Sequence, residues 1–421
     1  MEVYKFGGAS VKDANAIRNL HRIIISAGTE QLLVVISAIG KTTNALEQVV
    51  YAHYHDTGEA FVQLQRIKEV HKDIARDLEL EDLLRSGLLD DLFVEAEWLL
   101  EDTVHDSYDY LYDQIVAIGE LLSTRIVAAF LEKNELPVVW IDVRDVIKTD
   151  DSYRNASVDW TVTAANINAI IRPLITSGKI VLTQGFIGST TELNTSTLGR
   201  EGSDYTGAIL ASEVNATSLT VWKDVPGIMT ADPHVDKSAR LLLKLDYLEA
   251  LEMTYYGAKV IHPKTIKPLM DKSIPLLVRS FHNPVQHGTS VSSFPDEQYP
   301  PLKVVLEDQI LLRLSTLDFT FVVENHFSEV FQLVVKHKIK IHLLKNLALS
   351  LSLVISPAPE HLRAFIDDLK TIFDVSEERG LKLYTIRHFK PEDINHIKKS
   401  GILLIEEYSS ETAQLLVQCT S

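Results

Sequence analysis

The chain has 421 residues, 46% hydrophobic and 24% charged, enough to bury large cores in more than one domain without covalent staples. A formal net charge of −17 excludes the broad basic face that displaces counterions from nucleic acid. One cysteine, Cys419, excludes an internal disulfide framework and a cysteine-built metal site, and fits a reducing compartment.

The chain enters MEVYKFGG directly, with no charged-then-apolar leader, and apolar runs such as QLLVVISAI (31–39) are too short to cross a bilayer. A soluble, cytoplasmic protein without a membrane partner is expected. Six runs read as buried strands: EVYKF (2–6), QLLVVIS (31–37), LPVVWID (136–142), KIVLTQGF (179–186), SLTVWKD (218–224) and IPLLVRSF (274–281). They are nearly continuous in apolar residues rather than alternating, as strands covered on both faces are. Helix-like segments separate them, among them VKDANAIRNLHRII, VDWTVTAANINAIIRPLITSG and SDYTGAILASEV. This alternation implies an α/β fold, a mostly parallel sheet sandwiched by helices. From about 44 to 133 the sequence is helical without a proline, which reads as a helical subdomain inserted after the second strand.

SFPDEQYPPLK (293–303) gathers three prolines and marks a linker. The pattern then changes to strand–helix–strand–strand–helix, through QILLRLSTLDF, NHFSEVFQLVVKHK, IKIHLLK, LALSLSLVIS and PEHLRAFIDDLKTIF. That is the ferredoxin-like α+β order. A shorter version follows in LKLYTIRHF, PEDINHIKKS, GILLIEEY and AQLLVQ, lacking a closing helix and strand. The organisation expected is a catalytic domain over 1–292 and a second region over 301–421, its first unit about 308–378 and its abbreviated second about 379–421.

GKT at 40–42 suggests a P-loop, but that motif requires a glycine five positions earlier, where Val35 stands. GGAS (7–10) supplies no dinucleotide fingerprint. Alone, Lys5-Phe6-Gly7-Gly8 reads equally as an anion cradle of open backbone N–H groups or as a tight turn beside a solvated lysine. Further segments shift that balance. TSTLGREGSDYTGAILA (195–211) repeats the design, with Arg200 and Asp204 at a helix start. VWKDVPGIMTADP (221–233) ends a strand in Lys223 and Asp224, YYGAKVIHP (255–263) places Lys259 after a glycine, and AIGELLSTR (117–125) places Glu120 in an apolar helix. Groups that follow parallel strands converge on one sheet edge, where such folds bind ligands.

In combination, KFGGAS, SAIGKTTN, GELLST, TLGREGSD and WKDVPG…TADP…YYGAKVIHP, in that order, resemble aspartate kinase, a member of the amino acid kinase fold. The C-terminal half-repeats resemble that family's paired ACT regulatory domains, and the chain is similar to the monofunctional type without a fused homoserine dehydrogenase. The resemblance implies ATP-dependent, magnesium-assisted phosphorylation of the β-carboxylate of L-aspartate to 4-phospho-L-aspartate, the first step of lysine, threonine and methionine biosynthesis. An ionised carboxylate needs no general base, so positioning and cations are the requirement.

The resemblance also implies roles. Lys5 meets the transferring phosphate, Asp204 orients it (or caps the helix at 205), and Lys259 completes the catalytic set. Glu120 takes the substrate ammonium and Arg200 its α-carboxylate, with Ser37, Thr43, Gly202 and Ser203 nearby. Phe6, Gly7, Gly8, Ser10, Lys223, Asp224, Met229 and His234 join Lys5 and Lys259 on the ATP side. Ala9, Glu201, Lys223, Met229 and His234 depart from the family's usual threonine, glycine, Thr or Ser, tyrosine and arginine. The histidine pairs His53/His55 and His282/His287 have no partner at ligand spacing, so the metal expected is magnesium arriving with ATP. A homo-oligomer joined through the ACT domains, with lysine or threonine as effector, is implied as well. Two other readings stay open: a sibling kinase acting on glutamate, acetylglutamate or UMP, and a non-catalytic ACT amino-acid sensor.

Overall fold

The computed structural model describes residues 1–28, 31–101, 107–258, 261–295, 297–317, 320–358 and 361–419. They fall into two compact units: Met1–Ile228 with Leu241–Leu251 and Val260–Glu297, and Met229–Arg240 with Glu252–Lys259 and Gln298–Ser421.

The first unit carries β1 (Glu2–Phe6), β2 (Leu32–Ile36), β3 (Val138–Ile141), β4 (Ile180–Gln184), a small hairpin of β5 (Ile187–Ser189) and β6 (Thr195–Thr197), β7 (Ser218–Lys223), β8 (Lys244–Asp246), β9 (Leu276–Ser280) and β10 (Thr289–Ser292). Among the described residues, eight of these form one sheet in the order β3-β4-β2-β1-β7-β9-β10-β8. The six strands expected from apolar runs are β1, β2, β3, β4, β7 and β9, all paired in parallel. Every residue of β2 and β4 is buried, the reason their sequences do not alternate. The edge strand β8 and its neighbour β10 lacked such a signal, being three and four residues long and largely polar.

Phe6 pairs with Ile36 on one side and Trp222 on the other, so β2, β1 and β7 finish level. The strand order reverses at β1: later strands run outward through β2 to β3 on one side and through β7 to β9 on the other. The crevice at the carboxyl ends of these strands is where doubly wound sheets hold ligands.

The helical insertion consists of Thr42–Tyr54, Ala60–Asp77, Glu81–Arg85, Leu88–Glu101 and Tyr108–Lys133. By length and composition alone the last would cross a bilayer, so the expectation that no apolar run is long enough needs correcting. It is a core helix: 83% of its most apolar window is buried inside the protein.

The second unit holds β11 (Leu302–Thr316), β12 (Ile341–Asn346), β13 (Ser350–Ile355), β14 (Phe373–Arg387), β15 (Gly401–Tyr408) and β16 (Thr412–Cys419) in one antiparallel sheet, ordered β12-β13-β11-β14-β16-β15. The long strands β11 and β14 run through both halves, with register shifts between Leu306 and Leu311. One half is a complete ferredoxin-like unit with helices Glu324–Lys336 and Leu362–Leu369. In the other half, with helix Pro391–Lys398, the closing strand thought lost is present. Its place beside β14 is taken by Leu302–Leu306, the start of β11, which precedes the first half in sequence. Part of the proline-rich linker is therefore strand.

Candidate active site

A cavity of about 580 Å³ lies in the first unit, where β1, β2 and β7 end. Lys5, Gly7, Gly8, Ala9 and Ser10 line it from β1 and the turn after it, Ser37, Ala38, Gly40 and Thr43 from beyond β2, and Trp222 and Lys223 from the end of β7, with Asp224 just after it. Glu120 comes from helix Tyr108–Lys133, and the turn Gly199–Asp204 closes another side.

The turns are held by backbone contacts. Ser37 N–H donates to the Phe6 carbonyl and Gly40 N–H to the Gly8 carbonyl, each at 3.0 Å. A Cβ on Gly8 would sit 2.6 Å from the Gly40 oxygen and 2.9 Å from that of Ala38, both rigid backbone. Gly8→Ala is therefore expected to destabilise the protein by about 1–3 kcal/mol and to remove most activity, as thermal unfolding and turnover measured together would show.

Lys5 is buried, not solvated. Its ammonium lies 2.5 Å from Oδ1 of Asp204, and Lys223 approaches Oδ2 at 3.5 Å. Burial alone would raise the Asp204 carboxyl, but the two ammonium groups outweigh it and bring it down to about 2. Asp204 does not precede its helix as a cap. The helix runs Gly202–Val214, with Glu201 at the cap position and Asp204 inside the first turn. Two cations thus converge on one carboxylate at a helix N-terminus, an arrangement that favours phosphate oxygens nearby.

Glu120 is 2% exposed, and its Oε2 has no hydrogen-bond partner among the described residues. Burial pushes its carboxyl up to about 8, against the opposing pull of Lys5 and a hydrogen bond from the Ala38 backbone. The glycine before it has a steric reason: a Cβ at Gly119 would stand 3.0 Å from Thr42 Cγ2 and 3.1 Å from Leu46 Cδ1. The helix can therefore lie close against Thr42–Tyr54, and Ser123 Oγ donates to the Ser37 carbonyl at 2.7 Å. Arg200 is exposed at the cavity wall. Glu201 has left-handed φ of 54°, a conformation that favours glycine, and its Oε2 accepts the His262 N–H at 2.9 Å.

Of the residues the sequence pointed to, Lys5, Gly7, Gly8, Ser10, Ser37, Thr43, Glu120, Arg200, Gly202, Ser203, Asp204, Lys223 and Asp224 all line this cavity. Phe6 does not, because its ring is wholly buried and stacked on Trp222, 6.1 Å between centres. Met229 and His234 belong to the second unit, and Lys259 lies outside the described residues. Sequence reasoning missed Tyr112, Arg154 and Phe186 in the lining. Tyr112 was legible in principle, eight residues before Glu120 on one helix, whereas nothing in the loop spacing marks Arg154.

The class follows from comparison with known proteins: residues 1–280 match the amino acid kinase family. Lysine-sensitive aspartokinase 3 of Escherichia coli is 33% identical over 394 residues, covering 91% of this chain and 86% of that protein. Two crystal structures of E. coli aspartokinase III, one with lysine and aspartate (T-state) and one with aspartate and ADP (R-state), superpose with TM-scores of 0.84 and 0.83. Each is 30% identical, covering 99% of this chain and 96% of the other. The chain belongs to the aspartokinases. It is accordingly a kinase of amino-acid biosynthesis that uses ATP to phosphorylate aspartate.

Proposed function

We propose that this cavity is where the β-carboxylate of L-aspartate attacks the γ-phosphorus of ATP. A carboxylate O–P bond forms as the bond to the bridging β,γ-oxygen breaks, releasing 4-phospho-L-aspartate and ADP. The observation that carries the reading is Glu120, a buried carboxylate whose Oε2 has no partner among the described residues and which lines the same cavity as Lys5. A substrate ammonium supplies what it lacks. In this reading Lys5, held by Asp204, meets the charge that develops on the transferring phosphoryl group, with Lys223 beside it. Open backbone at Gly7 and Gly8, with the Ser10 hydroxyl, receives the remaining phosphate oxygens, and Asp224 stands on the nucleotide side. Ser37, Thr43 and Ser203 offer hydroxyls to the amino acid at Gly202. The nucleotide roles of Met229 and His234, and the role of Lys259, remain part of the same proposal.

The lining suits phosphate oxygens better than a bare metal ion, since Asp204 is committed to two lysines. Magnesium would thus arrive on ATP, with phosphate oxygens and water as its ligands, lowering the charge that Lys5 must meet.

Arg200 would take the α-carboxylate through its planar fork. Replacing it with lysine leaves a point charge in place of a bidentate contact. Arg200→Lys is expected to raise the aspartate KM by roughly tenfold to a hundredfold, at about 1.4 kcal/mol per decade, with the ATP KM unchanged. Initial-rate kinetics in both substrates would show it, and an unchanged aspartate KM would remove Arg200 from the site.

We assign the second unit to regulation, as paired ACT-type halves that join copies of the chain and bind lysine or threonine. Support comes from exposed apolar residues on it, Phe321 and Val335 among them, and from the unpaired edges of β12 and β15. Sedimentation and assay of the full chain with each amino acid test this. A dimer or larger assembly inhibited by one of the two is expected, and an insensitive monomer contradicts it. A cytoplasmic setting accords with the free, exposed Cys419.

A further inference from the structure

Helix Tyr108–Lys133 carries a second buried carboxylate, Asp113, seven residues and so about two turns before Glu120. All its hydrogen bonds come from neutral donors. The Arg154 N–H reaches Oδ1 at 3.1 Å and Oδ2 at 3.0 Å, the Thr197 N–H reaches Oδ2 at 2.7 Å, and the Thr197 hydroxyl donates to Oδ1 at 2.7 Å. Burial pushes this carboxyl up to about 6 against those same bonds. A buried charge held by neutral donors is an expensive way to fasten two pieces of chain together. Both pieces lead into the cavity.

Thr197 ends β6 and is followed at once by Leu198 and the turn that carries Arg200. The other piece, at Arg154, has left-handed φ of 65°, disfavoured for a residue with a side chain. The hold on its N–H opposes that preference. Its guanidinium lies 4.3 Å from the Tyr112 ring centre and 3.2 Å from Glu47, fixing that wall of the cavity. The two pieces also touch directly. Ala156 N–H donates to the Thr197 carbonyl at 2.9 Å, and a Cβ on Gly199 would meet Asn155 Oδ1 at 2.7 Å and the Arg154 carbonyl at 3.1 Å. The turn bearing Arg200 therefore rests on residues 154–155.

We propose that Asp113 is a positioning residue for the amino-acid end of the cavity: by tying the Arg154 turn to β6, it sets where Arg200 stands. The inference rests on the reading of Arg200 as the anchor of the substrate α-carboxylate.

Asp113→Asn preserves size but points an amide donor at one of the N–H groups the carboxylate accepts. It is expected to raise the aspartate KM by about tenfold or more, with the ATP KM and kcat within about threefold. Thr197→Val, which removes the hydroxyl bond alone, should move the aspartate KM in the same direction by about two- to fivefold. Because Asp113 acts through Arg200, the double variant Asp113→Asn/Arg200→Lys should bind aspartate no more weakly than Arg200→Lys alone. An unchanged aspartate KM in folded Asp113→Asn, an equal rise in both KM values, or additive effects in the double variant would each overturn the proposal. Should Asp113→Asn fail to fold, Thr197→Val decides, and an unchanged aspartate KM there counts against it. If Arg200→Lys itself leaves that KM unchanged, the substrate-site reading falls and this inference with it. If Arg200→Lys has its effect and the Asp113 and Thr197 variants have none, this inference alone falls.

Discussion

Lys5→Ala is expected to lower kcat by about a thousandfold, the upper range for removing one preorganised donor from a developing oxyanion. It should also weaken the fold. Asp204 is 3% exposed and would keep only Lys223, 3.5 Å away. Orphaning a buried charge costs about 3–5 kcal/mol, and about 1–3 is expected here because one cation remains. Turnover and stability can be separated by adding Asp204→Asn, which removes the orphaned charge. The double variant should recover part of the lost thermal stability and none of the lost rate. A folded Lys5→Ala protein with near-normal turnover would take Lys5 out of the mechanism.

Glu120→Gln has the second large effect, and it carries a pH signature. With its carboxyl pushed up to about 8, Glu120 is mostly protonated in the ligand-free protein at neutral pH. A substrate ammonium requires the ionised form, so binding below that pKa releases a proton. Aspartate affinity should therefore improve as pH rises from about 6 towards 8, by up to about tenfold per unit, and level off above. Glu120→Gln should abolish this slope and raise the aspartate KM about tenfold to a hundredfold, the worth of a charge-assisted bond. Aspartate KM measured across that range in both proteins gives the answer. A slope that survives in Glu120→Gln would place the titrating group elsewhere.

How far the sequence could be read depended on whether a feature was local or assembled by the fold. The central strands were legible because burial on both faces leaves an unbroken apolar run, as in Leu32–Ile36. The edge strand β8 and its neighbour β10 were not, since three or four largely polar residues give no readable periodicity. Leu302–Leu306 was hidden differently: its register belongs to the second half of the C-terminal sheet, while its position in sequence belongs before the first. Within the site, glycine turns and their cations announced themselves. The burial of Lys5 did not, because a lysine at a strand end reads as solvated until the helix bearing Asp204 is laid against it. Arg154 was illegible for a related reason. Its place in the wall depends on a backbone conformation held by Asp113, 41 residues earlier in the chain.

The most direct test of the central claim is release of ADP by the full-length protein, measured with L-aspartate, L-glutamate, acetylglutamate and UMP as separate acceptors, each with MgATP. The acyl phosphate would be trapped with hydroxylamine. ADP release that depends on aspartate and yields aspartyl hydroxamate in equal amount is the expected result. No aspartate-dependent release, or faster release with one of the other three acceptors, would contradict it.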